Sequence, residues 1–394
     1  MRPTEGQLAW QEAGFGLFCH FGINTFYGKE WSDGTLDPAG FDPTALDARQ
    51  WADTAAEAGA RYLILTAKHH DGFCLWPTET TDYSVQSSPY GGDVVAHAAQ
   101  ACRDAGIGFG VYLSPWDRNA ACYPDPAAYD DFYCRQLEEL CTQYGELFEI
   151  WFDGAGSEGR TYGWDAIMDV IDRHQPGAMV FNMGRPTIRW VGNEDGLAAD
   201  PCEYVVDGQY LPPECDVPIR RHWFWQPDDE HTLKSTEHLL AIHYRSIGLG
   251  AGLLLNVPPD RRGLLDDRDR DRLLDLGRQV RTRFGHPQIP ALRHGGVAQF
   301  PTRTRFDHLV LHEDLRHGQQ IRGFEIVVDG VTVARGGTVG VRRIVPLPTQ
   351  RADTVTIRLD GGSLRAVSAH LTGAETAPQL QEQPPFMFEK VDPA

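Results

Sequence analysis

The chain has 394 residues, 41% of them hydrophobic and 23% charged, a balance that excludes wholesale disorder and collagen-like repetition. Lys and Arg total 36 against 55 Asp and Glu, a formal charge of −19. A surface of that sign repels phosphate, so neither nucleic acid nor an anionic membrane is expected as a partner. No apolar run approaches the ~20 residues of a membrane span. Met1 to Trp10 is polar, without the basic start and apolar stretch of a signal peptide, which predicts a cytoplasmic protein. The cysteines, from Cys19 to Cys215, include no Cys-x-x-Cys pair and sit in apolar patterns, so they are expected as buried free thiols.

Strand-length apolar runs alternate with helical patterns through the first two thirds of the chain. Phe15 to Phe21 reads as a strand, Asp47 to Ala58 as a helix and Tyr62 to Ala67 as a strand. Asp93 to Ala105 is helical, Ile107 to Leu113 a strand, Ala127 to Tyr144 a helix and Leu147 to Phe152 a strand. Trp164 to His174 is helical, Met179 to Asn182 a strand, Leu233 to Ile247 a helix and Leu253 to Val257 a strand. Gly59 and Gly106 read as helix C-caps. Such alternation predicts a parallel sheet, either doubly wound or closed as a (β/α)8-like barrel. The polar residues decide. His20, Lys68 to Asp71, Tyr112, Asp153, Asn182 and Asn256 all fall at strand C-termini, where a barrel keeps its chemistry. No glycine fingerprint opens a helix after the first strand.

Leu264 to Arg283 reads as a closing helix. Beyond it come short alternating runs separated by turn pairs such as Asp329-Gly330 and Gly361-Gly362, the pattern of a small antiparallel β-sandwich. The expected organisation is a catalytic barrel over 1–285, a linker over 286–296, a β-sandwich over 297–373 and an irregular tail over 374–394.

Asp153 closes an apolar run and precedes Gly154, which permits a sharp exit. A lone carboxylate there is either functional or a structural acceptor; the neighbouring Trp151, a face on which sugar C–H groups stack, favours function. His69 and His70 are adjacent, so one ring is expected in the site and the other behind it, and no metal is expected. Glu30-Trp31 follows the first strand, Trp190 precedes Gly192-Asn193-Glu194-Asp195-Gly196, and Trp223-Phe224-Trp225 comes later. Aromatics, histidines and acids gathered on barrel loops describe a carbohydrate pocket. No Gly-x-Ser-x-Gly elbow supports a serine hydrolase.

These segments together resemble glycoside hydrolase family 29, the α-L-fucosidases. The resemblance is carried by Gln7 to Trp10, Gly16 to Gly22, Lys29-Glu30-Trp31, Ala67 to Trp76, Thr81 to Val85, Glu149 to Gly154 and Leu253 to Gly263, with Leu309 to Phe324 in the C-terminal part. It implies a retaining double displacement with Asp153 as nucleophile, no cofactor, and a fucosylated oligosaccharide as the partner; oligomeric state is left open. It further implies that His20, Glu30, Trp31, His69, His70, Tyr112 and Trp151 hold the sugar. Trp190 to Glu194 resembles the subfamily specific for α-1,3/1,4-linked fucose on branched Lewis-type glycans, which makes Glu194 the acid/base, with Asp195, Glu203 and Glu214 as alternatives. Trp225 and Arg185 are added as sugar-binding candidates. The competing readings are a broad-specificity fucosidase, a non-catalytic fucose-binding protein, and a metal-dependent sugar isomerase or aldolase built on His20, His69 and His70.

Overall fold

The computed structural model describes residues 1–287, 291–293 and 296–382. Parts of the expected linker (288–290 and 294–295) and tail (383–394) therefore lie outside the described residues. Eight parallel strands form the first sheet: β1 (Phe15–Cys19), β2 (Tyr62–Lys68), β3 (Gly108–Leu113), β4 (Glu149–Trp151), β5 (Met179–Phe181), β6 (Arg189–Trp190), β7 (Pro213–Pro218) and β8 (Gly252–Asn256). They pair in chain order, β1 through β5 on one side and β8, β7 and β6 on the other. A single parallel bridge between Phe181 and Ile188 spans the remaining gap, so the sheet is a nearly closed barrel. Asp47 and Asp93 cap the helices that follow β1 and β2, and Gly59 (φ 98°) and Gly106 (φ 70°) end them in the left-handed region.

Two strands escaped the sequence reading. β6 and β7 carry Trp190, Glu214 and Asp216 in place of an apolar run, and no helix separates β5 from β6 or β6 from β7. The 191–212 connection instead carries a small hairpin, Val205–Val206 with Gln209–Tyr210.

Alternation sorts each strand into two faces. Leu63, Leu65, Val111, Ile150, Phe152, Val217 and Leu255 pack outward in the large apolar cluster beneath the helices. Phe18, Tyr62, Ile64, Tyr112, Trp151, Phe181 and Leu254 fill the barrel with Trp10, which rises from the N-terminal helix (Glu5–Ala13). Gly16 is required by that filling, since a Cβ there would lie 2.3 Å from the Tyr62 ring. The cysteines are all free, and six of them, Cys19, Cys74, Cys102, Cys141, Cys202 and Cys215, are buried.

The C-terminal part is a six-stranded antiparallel sheet: β9 (Ala291–Arg293), β10 (Val297–Glu313), β11 (Gly323–Val328), β12 (Val331–Gly336), β13 (Arg343–Asp360) and β14 (Leu364–His370). Inside the stretch read as a linker, β9 pairs with the start of β10. β10 and β13, 17 and 18 residues long, are broken by register shifts, so each serves two parts of the sheet around one apolar cluster that includes Phe300, Phe306, Ile326 and Val355. The sheet is bonded to the barrel side: Tyr244 Oη and His308 Nε2 lie 3.0 Å apart, and Arg343 pairs with Asp200 at 2.7 Å. Among the described residues, no helix is long and apolar enough to cross a membrane.

At the base of the barrel Glu149 and Glu214 meet side chain to side chain, both buried, and the Trp10 indole donates to Glu149 Oε2 at 2.9 Å. Burial raises both carboxyls, Glu149 to about 7 from an ordinary 4.5, and the pair shares a proton because two adjacent carboxylates repel. The folded protein therefore binds more protons than the unfolded chain above pH 4.5, and its stability falls as pH rises through that window. Glu214→Gln removes one titrating member while keeping a hydrogen-bonding group. Its melting temperature relative to the natural protein should rise between pH 5 and pH 8, as read by calorimetry; a constant difference would refute the shared proton.

Candidate active site

A cavity of about 420 Å³ opens at the C-terminal ends of the barrel strands, within the size range of ligand pockets. His20, Glu30, Trp31, His69, His70, Trp151, Asp153 and Glu194 line it, together with Phe18, Glu158, Phe181, Asn182, Trp190, Asp216 and Trp223. The strand phase explains the floor: Trp151 and Asp153 follow Glu149 on the inward face of β4, as His20 follows Phe18 on β1. Trp151 stacks on Phe181 at 4.0 Å and 8°, giving an apolar floor.

Asp153 is oriented by two donors. Tyr112 Oη donates to Oδ2 at 2.9 Å and the Ala155 N–H to Oδ1 at 2.8 Å. Tyr112 thus serves Asp153 from beneath the cavity and is not among its lining residues. His70 Nε2 lies 3.5 Å from Asp153 Oδ2.

Both histidines after β2 line the cavity, their rings 4.1 Å apart, which corrects the expectation that one is packed behind the other. A register shift between Thr66 and Lys68 resets the alternation at the strand end. Lys68 then turns outward to Asp117 at 2.8 Å and Gln136 at 2.9 Å, all three buried, and both rings reach the site.

The hydrogen-bond partners fix which nitrogen of each ring faces a ligand. Ser114 donates its proton to the Trp116 carbonyl at 2.7 Å, so the 2.7 Å contact from His70 Nδ1 requires Nδ1–H. Asn256 donates its amide N–H to the Trp223 carbonyl at 2.8 Å, leaving Oδ1 to accept from His20 Nδ1 at 2.9 Å. Burial lowers His20 to about 3, His70 to about 4 and His69 well below its ordinary value. His20 and His70 are therefore neutral near pH 7, with Nε2 as an acceptor suited to a sugar hydroxyl.

Glu30 ties two loops together. Its carboxylate accepts the backbone N–H groups of Trp223 at 3.0 Å and Phe224 at 3.1 Å, and burial raises it to about 7. One carboxylate that takes two consecutive N–H groups makes the chain curl, so alternation fails along Trp223-Phe224-Trp225. Trp223 lines the cavity and Trp225 does not, a correction of the sequence reading. Arg185 is corrected too: it is exposed and paired with Asp172 at 2.8 Å, on the helix (Trp164–His174) that leads into β5.

Glu194 sits on a loop stitched by Asn193, whose Oδ1 accepts from Asp195 N at 3.1 Å and Leu197 N at 3.3 Å. The residue as a whole is exposed, but its carboxyl end turns into the cavity, where Trp223 Nε1 lies at 3.4 Å. The crowded tip governs its proton affinity: desolvation raises it to about 7, opposed by the Trp223 N–H and assisted by Asp153. Glu214, an alternative to Glu194 in sequence, lies at the barrel base and outside the cavity lining. Asp216 is the inward residue that sequence reading missed; polar residues alternating with Cys215 and Val217 were the available signal.

Among the described residues, His69, His70 and Asp153 bring ligand atoms within 4.8 Å of one another, the one set that could gather a cation. Ser114 already engages His70 Nδ1, and Tyr112 already engages Asp153 Oδ2.

Comparison with known proteins agrees with this geometry. Residues 4–283 match the family described as Alpha-L-fucosidase. Alpha-L-fucosidase 1 of Arabidopsis thaliana is 44% identical over 294 residues, covering 68% of this chain and 58% of that protein, so the chain spans less than two thirds of that relative. A crystal structure of a candidate alpha-L-fucosidase from Bacteroides ovatus superposes with a TM-score of 0.88 at 38% identity, covering 98% of this chain and 75% of that one. A Ruminococcus gnavus family 29 fucosidase in complex with fucose superposes with a TM-score of 0.82 at 27% identity, covering 94% of each chain. A nearly closed barrel with acids, neutral histidines and aromatics at its mouth, matched along its whole length by one family, places this chain in the alpha-L-fucosidase family of glycoside hydrolases.

Proposed function

We propose that the protein is a retaining exo-α-L-fucosidase acting on α-1,3/1,4-linked fucose of branched glycans. The observation that carries the reaction is the convergence of Asp153 and Glu194 on one aromatic-floored cavity, from the ends of β4 and β6. In the first step an Asp153 oxygen bonds to the anomeric carbon, the glycosidic C–O bond breaks, and Glu194 gives its proton to the departing oxygen. In the second, Glu194 takes a proton from water, the water oxygen bonds to the same carbon, and the Asp153 ester bond breaks. Neutral His20 and His70 accept from fucose hydroxyls, while Phe18, Trp151 and Phe181 face its C–H and methyl surface.

Asp153→Gly should lower kcat by about a thousandfold or more without unfolding the protein. Azide then enters the vacated space and yields a β-fucosyl azide from an activated fucoside, identified by NMR. Retention of more than a few per cent of activity would reassign the nucleophile.

Protonated Glu194 is the acid, so kcat/KM should fall as pH rises through about 7. The Trp223 N–H favours the carboxylate, and Trp223→Phe removes it. The basic limb of the pH–rate profile should move to higher pH in that variant; a downward shift or no shift would separate Trp223 from the acid.

Linkage preference rests on the Gly192–Gly196 loop and the 191–212 connection beside the mouth. A Lewis-type trisaccharide should exceed both 2'-fucosyllactose and an aryl α-L-fucoside by at least about tenfold in kcat/KM, because leaving-group contacts made in the transition state raise the rate. Comparable values on all three would indicate a broad-specificity enzyme.

A further inference from the structure

Residues 219–229 run from the end of β7 to a short 3-10 turn (Glu230–Thr232) with no helix or strand of their own. With no ladder to fix it, the conformation of this stretch depends on side-chain contacts. It carries Trp223, on which several contacts of the site converge. The Trp223 and Phe224 N–H groups hold Glu30. The Trp223 carbonyl accepts from Asn256, the partner of His20, at 2.8 Å, and its ring packs 5.0 Å from the His20 ring. Phe224 stands perpendicular to the rings of His20 and His69, at 5.5 and 4.9 Å.

One side chain closes the stretch on itself and ties it to the last helix of the barrel (Asp267–Phe284). Arg220 is 1% exposed, and its Nη1 donates to Asp229 Oδ1 at 2.9 Å and to the Gln226 carbonyl at 3.4 Å. Its Nε donates to Asp269 Oδ1, in the first turn of that helix, at 2.8 Å, and Nη2 lies 3.3 Å from Oδ2 of the capping Asp266. Asp229 turns its other oxygen to His222, whose Nδ1 lies at 3.0 Å. Neither Arg220 nor its acids line the cavity. Burying charges in this way adds little stability, because desolvation offsets most of the attraction. A planar fork of donors does impose geometry, since it bonds in several fixed directions at once.

We propose that Arg220 and Asp229 are positioning residues, which clamp the 219–229 stretch so that Trp223 and Phe224 hold Glu30 and His20 in place for a fucose. The proposal rests on the reading of Glu30 and His20 as sugar-binding groups.

The test uses Arg220→Lys, which keeps the charge but cannot bridge, and Asp229→Asn, which weakens one end of the clamp. Both should raise the inhibition constant of free fucose at least about fivefold. Glu30→Gln completes a double-mutant cycle: combined with Arg220→Lys, it should weaken fucose by less than the product of the single effects, because the two act along one path. Hydrogen exchange of the 219–226 segment, followed by mass spectrometry, should accelerate at least about tenfold in both variants while residues 62–68 of β2 keep their natural rate. Variants that melt lower yet keep the natural fucose constant and exchange would make the network merely structural and overturn the proposal. Effects that multiply in the cycle, or failure of both variants to fold, would overturn it as well. If the natural protein neither cleaves a fucoside nor is inhibited by fucose, the reading of the site fails instead. Exchange then decides the clamp, and unchanged rates in 219–226 would overturn it.

Discussion

Closure of a parallel sheet is the constraint from which the site follows. Once eight strands pair in chain order, every strand has an inward and an outward face, and every chain exit at one rim points toward a common axis. Residues separated by as much as Phe18 and Trp223 then share one inner cluster. No single loop could bring Asp153, His20 and Glu194 together, because they lie far apart in sequence. The near-closure at Phe181 and Ile188 matters for the same reason: it brings β6 beside β5, so that Glu194 and Asp153 line one cavity.

The barrel gives several of its buried acids a specific partner. Asp269 is paired with buried Arg220 at 2.8 Å, an ion pair that pins the segment leading to Trp223. Glu30 takes two backbone N–H groups. Glu149 and Glu214 share a proton at the base. Burial is nevertheless the dominant influence on Glu30, Glu194, Asp216 and Asp269 alike, and each binds its proton more tightly than it does in water. Desolvation thus leaves Glu194 holding its proton more tightly, while Asp153 accepts from Tyr112 and the Ala155 N–H, so the surroundings alone make the two cavity carboxyls chemically different.

Apolar runs made most of the barrel legible: the β2, β4 and β8 segments and the capped helices between them lie within a residue or two of where the pattern puts them. β6 and β7 were not legible by that route, since a strand whose inward face is polar has no apolar run to display. The same feature hid Asp216. Alternation alone put one of His69 and His70 behind the other because it ignores the register shift before Lys68, whereas the family resemblance put both in the site. Trp225 was misplaced because the Glu30 carboxylate bends the chain at Trp223, a contact 193 residues away in sequence. Arg185 had only its position after a strand end to recommend it, and the acids of the neighbouring helix claim it.

The sign and protonation of the groups lining the cavity also select its ligand. His20, His69 and His70 are neutral, so they present no cation to an anion. Glu30, Asp153, Glu194 and Asp216 contribute negative charge or neutral acid, and the protein as a whole carries −19. A phosphorylated or carboxylated sugar would meet unfavourable potential with no compensating Arg or Lys among the lining residues. A neutral deoxy sugar meets acceptors for its hydroxyls and an aromatic floor for its methyl group. On the proposed reading, selectivity is set as much by the charges excluded from the barrel mouth as by the hydrogen bonds it offers.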